Sequence, residues 1–320
     1  MEFRSSTDSL VMEQDGVYSW LENQRYLWRI RWGLFAGKLR WFVGEIIGHP
    51  SALTGGMVML LYIAMAILAP YLAPMSPYDG ALTSRLLAPA WISGNWQHVL
   101  GCDGVGRDLL SRIIYGSRLS LVVGLTAVGF SLVVGTSLGL VAGYFQGRLD
   151  NVLSRFSDLL LAFPYLIFAI FVMAAIGPGI TNLIVALSFK GWVEFYRLVR
   201  GQVLAEKTKE YVEAARLSGQ SDWSILLREI LPNIQPSLIV LATLRLAHMI
   251  VTEASLSFLG LGVGPRIPAW GSMVNAGRDY MLSAWWVSTF PGLAIMSLAL
   301  ATNMFGEGLR DILDPRLKIE

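Results

Sequence analysis

The chain has 320 residues, of which 54% are hydrophobic and only 15% are charged, and its formal net charge is +2. Soluble domains average about 25% charged residues, and disordered chains combine low hydrophobicity with high net charge. The composition therefore excludes disorder, argues against a soluble enzyme and favours a protein with several membrane spans. It also gives no clustered basic face for a nucleic acid. The single cysteine, Cys102, cannot form a disulfide within the chain.

The N-terminal segment 1–50 is expected to lie in the cytoplasm. Its first 16 residues contain no apolar core of the kind that signal peptides have. Tryptophan and arginine then recur over residues 17–47, and both residue types favour the boundary between membrane and water. We expect an amphipathic helix that lies on the membrane surface as an anchor; a docking site for a partner is the alternative.

Six apolar segments are predicted to be membrane spans, because a helix needs about 20 residues to cross a bilayer. These segments are 52–73, 118–143, 156–176, 179–198, 236–258 and 284–305. Pro164 predicts a kink in the third span. Lys190 and Glu194 make the fourth span the weakest of the six.

The placement of lysine and arginine predicts how these spans are oriented. With the N-terminus inside, the inner segments hold 17 of these residues and the outer segments hold six. Basic residues are enriched on the cytoplasmic side of membrane proteins, so both termini are predicted to be inside. The predicted fold is an all-α polytopic membrane protein with its transmembrane domain over residues 51–320.

The outer segment 74–117 is predicted to contain a short helix that leads into the second span, because Leu109 and Ile113 recur at helical spacing. Its charged residues can form local salt bridges. They are poor metal ligands, since only Cys102 offers a softer ligand nearby, and no metal site is predicted. The charged residues of interest are Asp103, Arg107, Asp108 and Arg112.

The inner segment between the fourth and fifth spans is predicted to be two short helices joined by a bend. Residues 204–217 are good helix formers, and Gly219 is a natural stop. Ser221 or Asp222 can cap a second helix, which Pro232 should limit. These patterns alone are compatible with a docking knob or with a simple interfacial loop.

Five motifs follow one another between residue 50 and the end of the chain. One consists of Glu213-Ala214-Ala215, Gly219 and Ile230-Leu231-Pro232 within residues 204–233. The others are LGCDGVGRDLLSRIIYGSR at 100–118, Asp150 to Ala162-Phe163-Pro164, EASLSFLGLGV at 253–263 and GLRDILDPR at 308–316. Together they resemble the C-type permease subunits of bacterial ATP-binding-cassette importers, in the dipeptide and oligopeptide branch. Two positions depart from the general patterns: Glu229 stands where an isoleucine is usual, and Cys102 where a threonine is usual.

The resemblance implies a type I importer permease fold in the bacterial inner membrane. It implies a homologous second permease subunit, two ATP-binding subunits and an extracytoplasmic solute-binding protein as partners. ATP and magnesium would be bound by the ATPase subunits, so this chain would be neither an enzyme nor the carrier of a cofactor. Consistent with this, the sequence has no GxxxxGK[ST] phosphate-binding loop.

The same resemblance implies that the first motif is an "EAA" loop that couples the permease to an ATPase. Its docking residues would be Glu210, Glu213, Ala214, Ala215, Arg216, Gly219, Leu231 and Pro232. The charged residues of segment 100–118 would receive the binding protein or gate the outer mouth; a structural plug is the alternative.

Ionisable residues inside membrane spans usually face a bundle interior or a watery path. The predicted pathway residues are Lys190, Glu194, Arg245, His248 and Glu253. Lys190 and Glu194 are four residues apart on a helix and are expected to pair with each other, which favours a structural pair near the inner interface over a role in the pathway. Arg245 and His248 could meet a carboxylate of the substrate. Glu253 matches the family pattern, which favours a role in common architecture.

Dipeptides or oligopeptides are the leading substrates, and the alternatives within the branch are glutathione, nickel chelates, opines and oligosaccharides. Outside it, a stand-alone secondary transporter would work without ATPase partners and would be supported by inverted repeats, which are not evident here. A membrane-embedded enzyme would need a catalytic set such as HExxH or a pair of aspartates at membrane depth, and the sequence offers neither.

Overall fold

A computed structural model describes residues 42–313 together with Gly37 and Arg40. The chain divides into two units, Met1–Pro50 and Ser51–Glu320. Residues 42–48 of the first unit are helical. Most of the surface helix predicted within 1–50 lies outside the described residues, as does the chain beyond residue 313.

The described residues fold into helices, and an isolated bridge between Cys102 and Asp108 is their sole β-type pairing. The helices are α1 (Pro50–Ile67), α2 (Ala69–Leu72), α3 (Ala90–Ser93), α4 (Leu109–Phe145), α5 (Gly147–Ala162), α6 (Tyr165–Ile176), α7 (Ile180–Glu206), α8 (Glu210–Leu217), α9 (Asp222–Phe258), α10 (Trp270–Gly277) and α11 (Trp286–Leu313). Short 3₁₀ turns cover Leu82–Ser84 and Arg278–Tyr280.

Within the described part of the chain, four helices are long and apolar enough to cross a membrane: α1, α4, α9 and α11. The pair α5 and α6 counts as a fifth if it is taken as one broken span. Helix α7 has 27 residues, but Lys190, Glu194 and Arg197 lower its hydropathy. All six predicted segments fall on helices, and length and composition support four or five of them as spans.

The helix predicted to precede the second span is part of that span. Helix α4 runs for 37 residues without interruption from Leu109 to Phe145. Its start is fixed by Asp108, whose side chain accepts a hydrogen bond from the Ser111 N–H at 2.8 Å, as an N-cap residue does. The last residues of the outer segment, 109–117, are therefore continuous with the span.

The third predicted span is broken rather than kinked. Helix α5 ends at Ala162, α6 begins at Tyr165, and the two are bent by 91°. Phe163 between them is extended, because a residue that precedes proline avoids the helical conformation. The prediction of a kink at Pro164 is thus corrected to two helices at nearly a right angle.

Two boundaries of the inner segment differ from the prediction. The helix expected over 204–217 is interrupted, since α7 ends at Glu206 and α8 begins at Glu210. Pro232 does not limit the second helix, which continues to Phe258. A π-helical stretch, Ile225–Ile230, lies directly before Pro232, and this change of hydrogen-bond register relieves the clash that a proline ring makes with the preceding turn.

Helices α4 and α7 pack with their backbones in close contact. Gly135, Gly139 and Gly143 are four residues apart, so they lie on one face of α4. A Cβ atom at Gly135 would lie 2.4 Å from the carbonyl oxygen of Trp192, and one at Gly139 would lie 2.7 Å from Cβ of Val199. Small residues permit this approach between membrane helices, and the buried faces of α4 and α7 follow from it.

We predict that Gly139→Ala destabilises the protein by about 1–3 kcal/mol, because the added methyl group overpacks the helix contact. Gly129→Ala is the matched control, since Gly129 lies on the same helix with open space around its position. Thermal unfolding of both variants in one detergent measures the effect. Equal melting temperatures for the two variants would contradict the proposed contact.

Candidate functional site

The first candidate site is the inner knob, formed by α8 and the first turns of α9 over residues 210–231. Val212 and Ala215 on α8 share a buried apolar cluster with Ile225 and Ile230 on α9. Gly219 joins the two helices with φ of +81°, a backbone conformation that a residue with a Cβ atom adopts only with strain. The knob is therefore a packed unit with a defined bend.

The face of α8 that points away from the buried apolar cluster is exposed. Most of the predicted docking residues are exposed there, namely Glu210, Glu213, Ala214, Arg216 and Gly219, as is Pro232 at the start of α9. Ala215 is buried and Leu231 is half-buried, so these two pack within the protein. Leu217 was not predicted, yet it is 85% exposed. Its spacing of four residues from Glu213 places it on the same face.

The inner knob is fastened to the end of α4. The Tyr144 hydroxyl donates a hydrogen bond to Oδ1 of Asp222 at 2.7 Å, and the Arg216 guanidinium lies 5.4 Å from the centre of the Tyr144 ring. Next to it, the rings of Phe145 and Trp223 are 5.8 Å apart. Sequence reasoning missed Tyr144, because an aromatic residue at the end of an apolar span reads as an interfacial anchor.

The second candidate site lies midway along α7 and α9, and its charges do not pair as predicted. Glu194 forms an ion pair with Arg245 of α9. Lys190 donates a hydrogen bond to the carbonyl oxygen of Phe163, at the break between α5 and α6. The expected pairing of Lys190 with Glu194 is therefore wrong. Lys190 instead binds the Phe163 carbonyl, which the break between α5 and α6 leaves without a helical donor. Glu194 instead pairs with the guanidinium of Arg245 on α9.

Two aromatic rings complete this site. The Tyr165 hydroxyl donates to the carbonyl oxygen of Leu187 at 2.6 Å, and its ring packs edge-on against His248 at 5.2 Å. Nζ of Lys190 lies 5.8 Å from the centre of the Tyr165 ring, within the range of a cation–π contact. We call Lys190, Glu194, Arg245, His248 and Tyr165 the charged layer; four of its members were predicted from the sequence.

Glu253, the fifth predicted pathway residue, is in a different environment. Its side chain is fully buried, and its carboxyl group accepts hydrogen bonds from Ser120 at 2.9 Å and Ser257 at 2.7 Å. Ser120 belongs to α4, so Glu253 connects α9 to α4. This placement indicates a structural contact between two spans.

The four residues predicted at the outer mouth form one folded network. Asp103 accepts hydrogen bonds from Nε of Arg107 at 2.7 Å and from the Arg107 N–H at 2.9 Å. Nη1 of Arg112 donates to the Pro77 carbonyl at 2.9 Å. Asp108, besides capping α4, contacts Nδ1 of His98 at 3.1 Å. Asp103, Asp108 and Arg112 are buried, so they hold the outer segment together.

Cys102 is enclosed in this network. Burial, together with the negative charges of Asp108 and Asp103, raises the pKa of its thiol to about 12. The thiol therefore stays protonated at neutral pH, and protonated thiols are weak nucleophiles. The cysteine that replaces the usual threonine acts here as a small buried side chain.

Comparison with known proteins identifies the family of this chain. The family described as the inner membrane component of binding-protein-dependent transport systems matches residues 135–319. The N-terminal transmembrane domain of oligopeptide transport permease C matches residues 46–89. The chain therefore belongs to the family of inner membrane components of binding-protein-dependent transport systems.

Two relatives illustrate the branch. The di/tripeptide transport system permease protein DppC of Pseudomonas aeruginosa is 41% identical over 286 residues, which are 89% of this chain and 94% of the relative. The glutathione transport system permease protein GsiD of Pectobacterium atrosepticum is 44% identical over 280 residues, 87% of this chain and 91% of the relative. The predicted resemblance to the dipeptide and oligopeptide branch is confirmed, and the chain is a permease subunit of an ATP-binding-cassette importer.

A solved structure of the MetNI methionine ABC transporter in an inward-facing conformation has the same fold. Its TM-score is 0.53 at 18% identity, and the match covers 64% of this chain and 98% of that chain. A second crystal form gives a TM-score of 0.51 at 20% identity, with 63% and 96% covered. At this level of identity the likeness concerns the helical fold alone.

We predict that Tyr144→Phe loosens the inner knob, because Asp222 loses the hydroxyl donor. The loss of about 1 kcal/mol for one hydrogen bond should make amide hydrogen exchange across Glu210–Leu217 roughly fivefold faster. Tyr71→Phe is the control, since Tyr71 is 87% exposed on α2. Unchanged exchange in Tyr144→Phe would show that the knob does not depend on this contact.

Proposed function

We propose that this chain forms half of the translocation pathway of an importer that carries dipeptides or oligopeptides across the bacterial inner membrane, with six spans and both termini in the cytoplasm. The peptide class rests on the DppC relative, whose name states di/tripeptide transport. The other half of the pathway would be a homologous permease subunit. A solute-binding protein would deliver the peptide from outside.

Helix α7 is the proposed sixth membrane span, in addition to α1, α4, α9, α11 and the broken pair of α5 and α6. Its 27 residues extend over about 40 Å at 1.5 Å per residue, which exceeds the roughly 30 Å hydrocarbon core. One side packs against the glycines of α4, and Glu194 is paired with Arg245 on another span. A helix whose charges are paired by its neighbours can cross a membrane although its own hydropathy is low.

The observation that carries the coupling proposal is the exposed face of α8, with Glu213, Ala214 and Leu217. Leu217 is one of three large apolar side chains of the knob that are more than half exposed, with Trp223 and Leu227, and exposed apolar surface among polar residues marks protein contact sites. We propose that an ATPase subunit docks here and that ATP and magnesium are bound by the ATPase subunits. Two such subunits would serve the two permeases.

The knob is connected to the interior by two routes. Helix α9 begins in the knob at Asp222 and continues to the charged layer, and Tyr144 ties the knob to α4. A displacement of the knob by the ATPase would therefore move α9, and Arg245 with it, relative to α7. This is a lever that can open and close a pathway in the middle of the membrane.

Glutathione is the second substrate class, because the GsiD relative is 44% identical over most of the chain. Glutathione is a tripeptide, so its chemistry overlaps with that of the leading class. The binding protein would decide between the two, since a permease receives only the solutes that the binding protein delivers.

We predict that Leu217→Asp weakens the association with the ATPase subunits about tenfold, because a buried hydrophobic contact at an interface is replaced by a charge. Gly201→Ala is the control, since Gly201 is an exposed position on α7 with open space around it. Co-purification of the ATPase with each variant measures the effect. Equal recovery with Leu217→Asp and wild type would contradict docking at α8.

We also predict that uptake depends on ATP and on the complete assembly. Proteoliposomes that hold both permeases and both ATPases should import a radiolabelled dipeptide when the loaded binding protein and ATP are supplied. Leaving out the ATPases should abolish uptake. Uptake that persists without them would favour a stand-alone transporter, and uptake of glutathione but of no dipeptide would select the second substrate class.

A further inference from the structure

The ion pair between Arg245 and Glu194 lies deep in the membrane-spanning part of the chain. Arg245 is near the middle of Leu231–Phe258, and Glu194 is near the middle of Ile180–Glu206. Each is therefore about 20 Å from either end of that helical segment at 1.5 Å per residue; for Arg245 the segment is the part of α9 that follows the π-helical stretch. A charge at this depth is costly unless it is paired or reached by water.

The pair is nevertheless open to the surface of the chain. The Arg245 side chain is 30% exposed and the Glu194 side chain is 27% exposed, and His248, one turn further along α9, is exposed as well. Since exposed charges at mid-membrane do not face lipid, this surface of α7 and α9 faces the second permease and the pathway between the two subunits. This step rests on the proposed function.

An ion pair on a pathway discriminates among solutes by their charges. If a solute pushed the two partners apart without replacing them, it would leave two uncompensated charges in a poorly solvated site. A solute that carries both an ammonium and a carboxylate group can replace each partner. Its ammonium group then pairs with Glu194, and its carboxylate group pairs with Arg245. Arginine binds carboxylates through two parallel hydrogen bonds.

The surroundings of the pair favour the carboxylate. Lys190, one helical turn from Glu194, is fixed by the Phe163 carbonyl and by the Tyr165 ring. The layer thus holds two basic side chains, Lys190 and Arg245, and one acidic side chain, Glu194. An additional carboxylate would balance this charge, whereas an additional cation alone would increase the imbalance.

We propose that the Arg245–Glu194 pair is a checkpoint in the pathway that opens to substrates with a free ammonium group and a free carboxylate group. The substrate class is the zwitterionic short peptide with both termini unmodified. Specificity would then be set twice, once by the binding protein and once at this layer.

The test uses the complete importer in proteoliposomes. Three probes are compared: a dipeptide with neutral side chains, its N-acetyl form and its C-terminal amide. Each is supplied on a binding protein whose saturation with that probe has been verified by calorimetry. We expect the wild-type importer to carry the free dipeptide about tenfold faster than either blocked form, one charge-assisted contact being lost in each.

The decisive variant is the double substitution Glu194→Gln and Arg245→Gln, which removes both charges and leaves two amides that can hydrogen-bond to each other. We expect its rate for the free dipeptide to fall about tenfold, to the level of the blocked forms, so that the importer no longer distinguishes the three probes. Wild-type rate and wild-type discrimination in this variant would overturn the proposal and leave the pair a structural contact.

A matched control removes another ion pair of α7. Asp158→Asn with Arg197→Gln neutralises the pair of Asp158 and Arg197, which is more exposed and lies nearer the cytoplasmic end of α7. Its discrimination should equal that of the wild type, and an equal loss in both double variants would contradict a specific checkpoint.

The remaining outcomes are also decisive. Should the decisive variant fail to fold, equal wild-type rates for free and blocked dipeptides would still overturn the proposal. If the wild-type importer carries none of the probes, the proposed peptide function fails, and that result is distinct from failure of the checkpoint.

Discussion

The close backbone contact between α4 and α7 determines how the other helices can be placed. Three glycines on α4 let the two helices approach until a single methyl group would collide with the facing backbone. The contact buries one side of α7, including Tyr196 and Val199, and thereby turns Glu194 towards α9. Because α4 is one continuous helix, it also joins the Asp108 cap at its first turn to Tyr144 at the knob.

A low-dielectric surrounding explains the polar contacts of the spans. Two charged side chains of α7 have partners that the fold supplies at specific places: Glu194 has Arg245, and Lys190 has the carbonyl group of Phe163 at the break between α5 and α6. Glu253 instead receives hydrogen bonds from two serine hydroxyls between α4 and α9. The break at Pro164 therefore has a structural consequence, because the carbonyl group that it leaves free accepts a hydrogen bond from the buried Lys190.

The continuity of α9 gives the transport proposal its mechanical basis. The helix starts at the knob, passes through the π-helical stretch Ile225–Ile230 and reaches the charged layer. Rigid helices transmit displacements, and π-helical stretches are frequent at functional sites. A motion imposed on α8 can thus reach the Arg245–Glu194 pair without any further connecting element.

The sequence by itself determined where the long helices lie, the bend at Gly219 and the family, because apolar runs, turn residues and motifs are properties of neighbouring residues. It limited the cap of the second inner helix to Ser221 or Asp222, and the structure shows Ser221 in that role. It also identified four of the five members of the charged layer, since an ionisable residue in an apolar span is conspicuous. Only the tertiary structure decided the partners of Lys190 and Glu194, the burial of Ala215, the exposure of Leu217 and the role of Tyr144. Those properties depend on which helices meet and at what height, and the spacing of residues along one helix does not contain that information.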